Sequence, residues 1–232
     1  MMDVAWVRHE TRRLGALPLA LPPLTVGVFA ALAGLMGAGG ADSRQIAKLL
    51  LAGLEVGLPL AAGLIAAGVV AGEPAVELHC SLPTRYRVTL LRRLALLLAW
   101  TSLVSVGAAA LLVGVDRWLV PRPFALAQLG WLAPLLWFVA VGATLALALR
   151  SRAASSGLLT GVWLLENLFR ETFLATDWLR FWFLFATTYT PGAAAEEWPA
   201  NRATLVGTAA VVAVGAWAMT RTGEAHVLGG EA

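Results

Sequence analysis

One stretch near the start of the chain decides what kind of fold it can form. Residues 49–72 read LLLAGLEVGLPLAAGLIAAGVVAG, with Glu55 as the single charged residue. A helix of this length extends about 36 Å, which is enough to cross the ~30 Å hydrocarbon core of a bilayer. The stretch therefore predicts a membrane-spanning helix.

The composition of the whole chain agrees with this interpretation. Of its 232 residues, 59% are hydrophobic and only 13% are charged, and the mean hydropathy is +0.76. Soluble domains typically carry about 45–50% apolar and about 25% charged residues. A soluble core could not hide this much apolar surface, so lipid must be the solvent for much of it. We predict one all-α integral membrane domain over residues 1–232.

Four further segments are apolar and long enough to be clear spans: residues 17–37, 94–115, 131–149 and 203–220. Residues 153–189 are ambiguous, because their uncharged part, 153–165, is short of a full span. We expect this helix to continue past Glu166, which would pair with Arg170 one turn later. Asp177 would then cap a second, short helix over 178–187.

These segments together predict six transmembrane helices, with an outer re-entrant hairpin over residues 166–200 before the last span. The charges give the orientation. With the N-terminus in the cytoplasm, ten of the 17 basic residues fall in inside segments, and the outside ones lie among as many acids. The positive-inside rule then places both termini in the cytoplasm. Residues 1–16 contain an amphipathic stretch, which predicts an interfacial helix.

Several motifs of enzymes and metal proteins are missing. Lys48 is the only lysine, and it lacks the glycines of a GxxxxGK[ST] phosphate-binding loop. Cys80, the one cysteine, and the three histidines have no metal-ligand spacing. The basic residues flank the apolar segments, so nucleic-acid binding is not supported. We expect no catalytic, cofactor or metal site in this chain, and no enzymatic activity of its own.

The loop between the second and third spans is the most informative polar segment. Residues 72–87 read GEPAVELHCSLPTRYR. Pro74 can open a short helix, and Pro83 breaks or re-aims the chain. Leu78 and Leu82 are four residues apart and would project as an apolar knob among charges. Such an element suits docking into another protein's groove, while a plain loop with interfacial arginines fits equally well.

This loop resembles that of the permease subunits of type-2 ATP-binding-cassette (ABC) transporters. The resemblance is carried by Glu77-Leu78, then Ser81-Leu82-Pro83 and Arg85, followed by a basic stretch that enters the third span. In that family six spans are usual, the N-terminal helix is amphipathic, and outer re-entrant helices precede the sixth span. Pro74-Ala75 departs from the Gly-Thr pair that is frequent there.

The resemblance implies that residues 73–93 form the coupling loop that touches a separate ATPase. The coupling residues would be Glu73, Glu77, Leu78, Leu82, Pro83 and Arg85. It further implies an ABC ATPase partner that holds ATP and Mg²⁺, and a homodimer or heterodimer with a second permease. The implied function is export across a bacterial or archaeal cell membrane. A membrane scaffold or assembly protein without transport activity, and a stand-alone secondary carrier, stay open as alternatives.

Two features in or beside the spans are candidate functional residues. Glu55 is an acid in a predicted span, where an unpaired charge costs several kcal/mol. It is either functional or a structural acid that pairs with Lys48 or Arg44, or hydrogen-bonds to the fourth or fifth span. The second feature is an aromatic-rich outer segment, which an interfacial belt explains. The sharper hypothesis is an outer gate formed by Phe173, Trp178 and Trp182.

Overall fold

The structure, a computed structural model, describes residues 15–71, 86–189 and 196–229, which are helical and contain no strand. In chain order the elements are α1 (Ala16–Ala38), α2 (Ser43–Ala52), a π-helix (Gly53–Gly57), α3 (Leu58–Ala71), α4 (Tyr86–Gly114), α5 (Phe124–Ala127), α6 (Leu129–Leu149), α7 (Arg152–Leu168), α8 (Arg170–Ala175), α9 (Ala186–Tyr189) and α10 (Trp198–Gly229).

Five helical stretches are long and apolar enough to cross a membrane. They are Ala16–Ala38, Ser43–Ala71, Arg87–Gly114, Phe124–Leu149 and Trp198–Thr220. Each coincides with one of the five clear apolar segments, so the prediction of an all-α chain with long apolar helices is confirmed. Helix α7 has 17 residues and a length of about 25 Å, and whether it is a sixth span stays a prediction. Residues 1–14 of the predicted interfacial helix and 72–85 of the predicted coupling loop lie outside the described residues.

Helices α3 and α6 approach each other so closely that their backbones touch. A Cβ atom on Gly142 would lie 2.5 Å from the carbonyl oxygen of Gly63, and one on Gly63 would lie 2.9 Å from that of Phe138. No side chain larger than hydrogen fits at these distances. Close van der Waals contact between small residues is the main source of helix association in lipid, where the hydrophobic effect between helices is absent. This contact fixes α3 against α6.

A π-helical turn interrupts the second apolar helix at Gly53–Gly57, and Pro59 explains it. In an α-helix Pro59 would face the carbonyl of Glu55, to which it has no N–H to donate and with which its ring would clash. The widened turn avoids this arrangement, and the N–H of Leu58 donates to the carbonyl oxygen of Gly53, five residues earlier. Such turns recur at functional sites. Here the turn carries Glu55, which is fully buried.

The predicted pair of Glu166 with Arg170 is wrong. Helix α7 ends at Leu168, because Phe169 leaves the helical conformation with φ −102° and ψ 23°. The carboxylate of Glu166 is buried and accepts a hydrogen bond from the backbone N–H of Leu184 at 2.9 Å. The guanidinium of Arg170 instead lies 5.2 Å from the ring centre of Tyr189. The partner of Glu166 is therefore a backbone group distant in the sequence and not the neighbouring Arg170.

The predicted helix over 178–187 is also wrong. Residues 177–182 form turns, and only α9 is helical in this segment. Asp177 does not cap a helix, since its carboxylate pairs with the guanidinium of Arg180 at 2.7 Å. Phe183 and Phe185 are nevertheless fully buried in this irregular stretch.

The contact between α3 and α6 gives a first prediction. We expect Gly142→Ala to lower the free energy of unfolding by about 1–3 kcal/mol, because the new methyl group overlaps the Gly63 carbonyl. The matched control is Gly107→Ala in α4, where a Cβ atom meets nothing within 4 Å. Alanine has the better helix propensity, so this control should leave stability unchanged or slightly raised. Thermal unfolding in detergent measures both, and equal behaviour of the two variants would contradict the tight contact.

Candidate functional site

The candidate site is a buried cluster of charged side chains around Glu55. The carboxylate of Glu55 and the guanidinium of Arg202 are 0% and 1% exposed, and Oε1 of Glu55 lies 3.0 Å from Nη2 of Arg202. The contact is an ion pair by distance, although Nη2 and Nε have no hydrogen-bond partner in the described part of the chain. The pair joins the π-helical turn to the first turns of α10.

Glu55 also binds backbone. Its Oε1 accepts a hydrogen bond from the N–H of Thr187 at 2.9 Å, and its Oε2 accepts one from the N–H of Thr188. Both carboxylate oxygens are therefore engaged by N–H groups of one short stretch. A carboxylate with its oxygens occupied in this way is suited to holding a structure together and poorly suited to acting as a base or nucleophile.

Arg202 and Asn201 bind the same stretch from α10. Nη1 of Arg202 donates to the carbonyl oxygens of Leu184 at 3.2 Å and of Gly130, at the start of α6, at 2.9 Å. Nδ2 of Asn201 lies within hydrogen-bond distance of three carbonyl oxygens, those of Arg180, Phe181 and Phe183, at 2.8, 3.1 and 3.0 Å. Donor groups of two adjacent side chains at the start of α10 thus lie within hydrogen-bond distance of four carbonyl oxygens of residues 180–184.

Glu166 completes the set from α7. It binds the same stretch through the backbone N–H of Leu184, whose carbonyl oxygen accepts a hydrogen bond from Arg202. We call residues 180–188 the docked segment and Glu55, Glu166, Asn201 and Arg202 the tethering residues. Phe183 and Phe185 are both fully buried, and the ring of Phe185 packs against Phe138 of α6 and against Phe183.

The tethering residues solve a specific physical problem. The docked segment is largely irregular, so much of its backbone lacks the internal hydrogen bonds of a long helix, yet it is buried among apolar helices. An unpaired backbone group in such a place costs several kcal/mol. Polar side chains from the π-turn, α7 and α10 supply the missing partners. The cluster is thus a device for holding non-helical backbone inside a helical protein.

The rim of the cluster is different in character. Arg180 pairs with both Asp177 at 2.7 Å and Glu197 at 2.9 Å, and these side chains are partly or largely exposed. The hydrogen bond from Nε1 of Trp198 to Oγ1 of Thr187, at 3.0 Å, belongs to the buried contacts and not to this rim. Exposed ion pairs contribute little, about 0–1 kcal/mol each, because water screens them. The rim orients the ends of the docked segment, while the buried contacts hold it.

None of the other sequence-predicted site residues is a tethering residue, although Trp182 belongs to the docked segment and Phe173 contacts it. The coupling residues Glu73 to Arg85 are outside the described residues. Phe173 is half-buried, with its ring centre 5.9 Å from that of Phe183. Trp178 and Trp182 are 66% and 44% exposed. Their role as a gate stays a prediction, and no group of three His, Cys, Asp or Glu able to hold a metal occurs in the described ranges.

Glu55 does not pair with Lys48 or Arg44, the local candidates, but with Arg202. Sequence reasoning missed this partner because Arg202 stands at the edge of the last apolar segment and was assigned to an outer loop. A usable signal was present: an acid inside one span needs a cation at a comparable depth in another, and Arg202 directly precedes residues 203–220.

Comparisons with protein-family models, curated proteins and solved structures found no match.

The buried pair predicts strong coupling between two distant residues. We expect Glu55→Gln and Arg202→Gln each to lower the free energy of unfolding by about 3–5 kcal/mol, because each leaves an uncompensated buried charge. The double variant should lose less unfolding free energy than the sum of the two single losses, since neither charge remains. Denaturation in detergent of all four proteins gives the coupling energy.

The exposed pair Arg180–Glu197 is the matched control for this cycle. Arg180→Gln and Glu197→Gln should each change stability by about 1 kcal/mol or less and show little coupling. Strictly additive losses for Glu55 and Arg202 would show that the two side chains act independently and would refute the ion pair.

Proposed function

We propose that this chain is the permease subunit of an ABC transporter that works as an exporter, powered by a separate ATPase chain. In this proposal α7 is the fifth of six spans, α10 is the sixth, and residues 166–200 between them form an outer re-entrant element. Both termini are cytoplasmic, and the permease pairs with itself or with a related permease in a bacterial or archaeal cell membrane. ATP and Mg²⁺ belong to the ATPase.

One observation carries the proposal. Between α7 and α10 the chain does not form a plain surface loop but folds back among the helices, where the tethering residues hold it. The family that the 73–87 loop resembles has outer re-entrant helices at the corresponding place, just before its last span. The sequence of the 73–87 loop and the packing of the docked segment are features of two distant parts of the chain, and both favour the same class of protein.

The packing also suggests how motion would reach the outer side. The loop joins the end of α3 at Ala71 to α4, and α3 is held rigidly against α6 by the Gly63 contact. The other end of α3 continues into the π-turn that carries Glu55. A displacement of the loop by ATPase closure would be passed along about 20 Å of helix to Glu55 and the docked segment. Transport then requires that the ATPase contact the loop differently in its two states.

The loop itself gives the most direct test. We expect Leu82→Asp to leave membrane insertion and detergent stability unchanged, because the residue lies outside the spans. It should abolish recovery of the ATPase in a mild-detergent pull-down, since a charge would enter a desolvated contact at a cost of a few kcal/mol. Mass spectrometry of the purified complex measures the ATPase.

Val115→Asp is the matched control. Val115 is an exposed apolar residue just past the opposite end of α4, so the same change is made on the other side of the proposed membrane. It should leave ATPase recovery intact. If the unchanged chain, at native expression, never recovers an ATPase, the scaffold or carrier alternatives replace this proposal.

The orientation gives a separate test by cysteine labelling in a Cys80→Ser background. We expect Glu196→Cys, an exposed position before α10, to react with a membrane-impermeant thiol reagent added to intact cells. Glu224→Cys, near the C-terminal end, should react only after the cells are opened. Labelling of position 196 from the cytoplasm alone would reject the six-span topology with its outer hairpin.

A further inference from the structure

A groove of about 570 Å³ runs along the surface between α1, α3 and α7. Its apolar walls are formed by Leu17 and Leu21 of α1, Leu64 and Ile65 of α3, and Leu164 of α7. The floor on α7 is open because Gly157 and Gly161 have no side chain, and a Cβ atom on either would meet nothing within 4 Å. The volume is that of a small-molecule site.

One end of this groove carries a positive charge. Arg152, the first residue of α7, lines it, with its guanidinium beside the backbone of Gly68. No carboxylate in the described ranges lies within ion-pair distance of Arg152, and the residue is exposed. Ser156 and Thr160 lie one and two turns further along the groove and add hydroxyl groups near the charged end.

We propose that the groove binds one anionic phospholipid, with its phosphate on Arg152 and an acyl chain along the leucine-lined walls. Guanidinium forms strong, often bidentate hydrogen bonds to phosphate. From Arg152 to Leu164 is about 18 Å along α7, close to the ~15 Å thickness of one hydrocarbon leaflet. A headgroup at one end and a chain of leaflet length therefore match the groove in charge and in size.

A second copy of this chain fits the groove less well. In a two-fold pair about the membrane normal, equivalent residues lie at the same depth. Both Arg152 side chains would then meet at the same end of the contact without an acid between them among the described residues, and the two like charges would repel each other. A lipid brings its own negative charge. The inference does not depend on the proposed transport function.

The test uses the full chain purified in a non-ionic detergent. Phosphatidylglycerol and phosphatidylcholine with the same acyl chains are titrated separately, and inorganic phosphate is added as a third arm. Native mass spectrometry counts bound lipids, and the unfolding temperature reports binding energy. We expect phosphatidylglycerol to bind with one-to-one stoichiometry and to stabilise the protein more than phosphatidylcholine does. Phosphate alone should have no effect.

Three variants locate the binding. Arg152→Ala should weaken phosphatidylglycerol binding about tenfold or more by removing a charge-assisted hydrogen bond. Gly161→Leu should abolish it by filling the groove, in a place where the new side chain has room. Arg150→Asn is the control: it removes an equal charge from the same connection, outside the groove, and asparagine tolerates the left-handed conformation of that residue.

The outcomes separate the alternatives. The lipid site is supported if Arg152→Ala and Gly161→Leu lose phosphatidylglycerol binding while Arg150→Asn binds this lipid as the unchanged chain does. The proposal is overturned if both lipids stabilise the protein equally. It is also overturned if Arg150→Asn loses as much phosphatidylglycerol binding as Arg152→Ala does. A change from dimer to monomer in Gly161→Leu with lipid binding intact also overturns it and assigns the groove to a contact between copies of the chain.

Discussion

The carboxylate of Glu55 is the point at which three parts of the chain meet: the π-turn of the second apolar helix, the docked segment and the start of α10. Each of these parts has a feature that costs free energy. The π-turn departs from a regular helix because of Pro59. The docked segment has backbone groups without hydrogen-bond partners in its own segment. Arg202 is a charged side chain that is buried away from water. The Glu55 carboxylate offsets the last two, because it accepts hydrogen bonds from two backbone N–H groups of the docked segment and pairs with the guanidinium of Arg202.

The surroundings of this contact are built for close approach. Gly63 and Gly142 bring the backbones of α3 and α6 together, and the aromatic rings of Phe183 and Phe185 fill the space beside α6. Outside this core the helices are less covered. Helix α7 presents Gly157 and Gly161 to the groove, and large apolar residues of α1 and α10 are exposed. The molecule thus has a fixed, polar-tethered centre and an apolar perimeter suited to lipid.

The sequence was sufficient for the five long apolar helices, because the requirement to cross a bilayer is a matter of length and apolarity, which residues 49–72 show directly. It was also sufficient to single out Glu55, because a lone charge in an apolar run stands out. It was not sufficient for Arg202 or Glu166. The partner of Glu166 was sought one turn away, where helix geometry allows Arg170, but the actual partner is a backbone N–H eighteen residues later. Such contacts depend on how helices pack, which no local spacing rule contains.

The separation of the ion pair along the chain has a consequence for biosynthesis. Glu55 and Arg202 are 147 residues apart (202 minus 55), so at about 5–20 residues per second Arg202 is made roughly 7–30 s after Glu55. During that interval the acid resides in its apolar segment without its cation, at a cost of a few kcal/mol for a charged group at membrane depth. Arrival of α10 ends this state and provides the groups that hold the docked segment. The ion pair can therefore form only after α10 has been made, and the helices synthesised before α10 lack this contact until then.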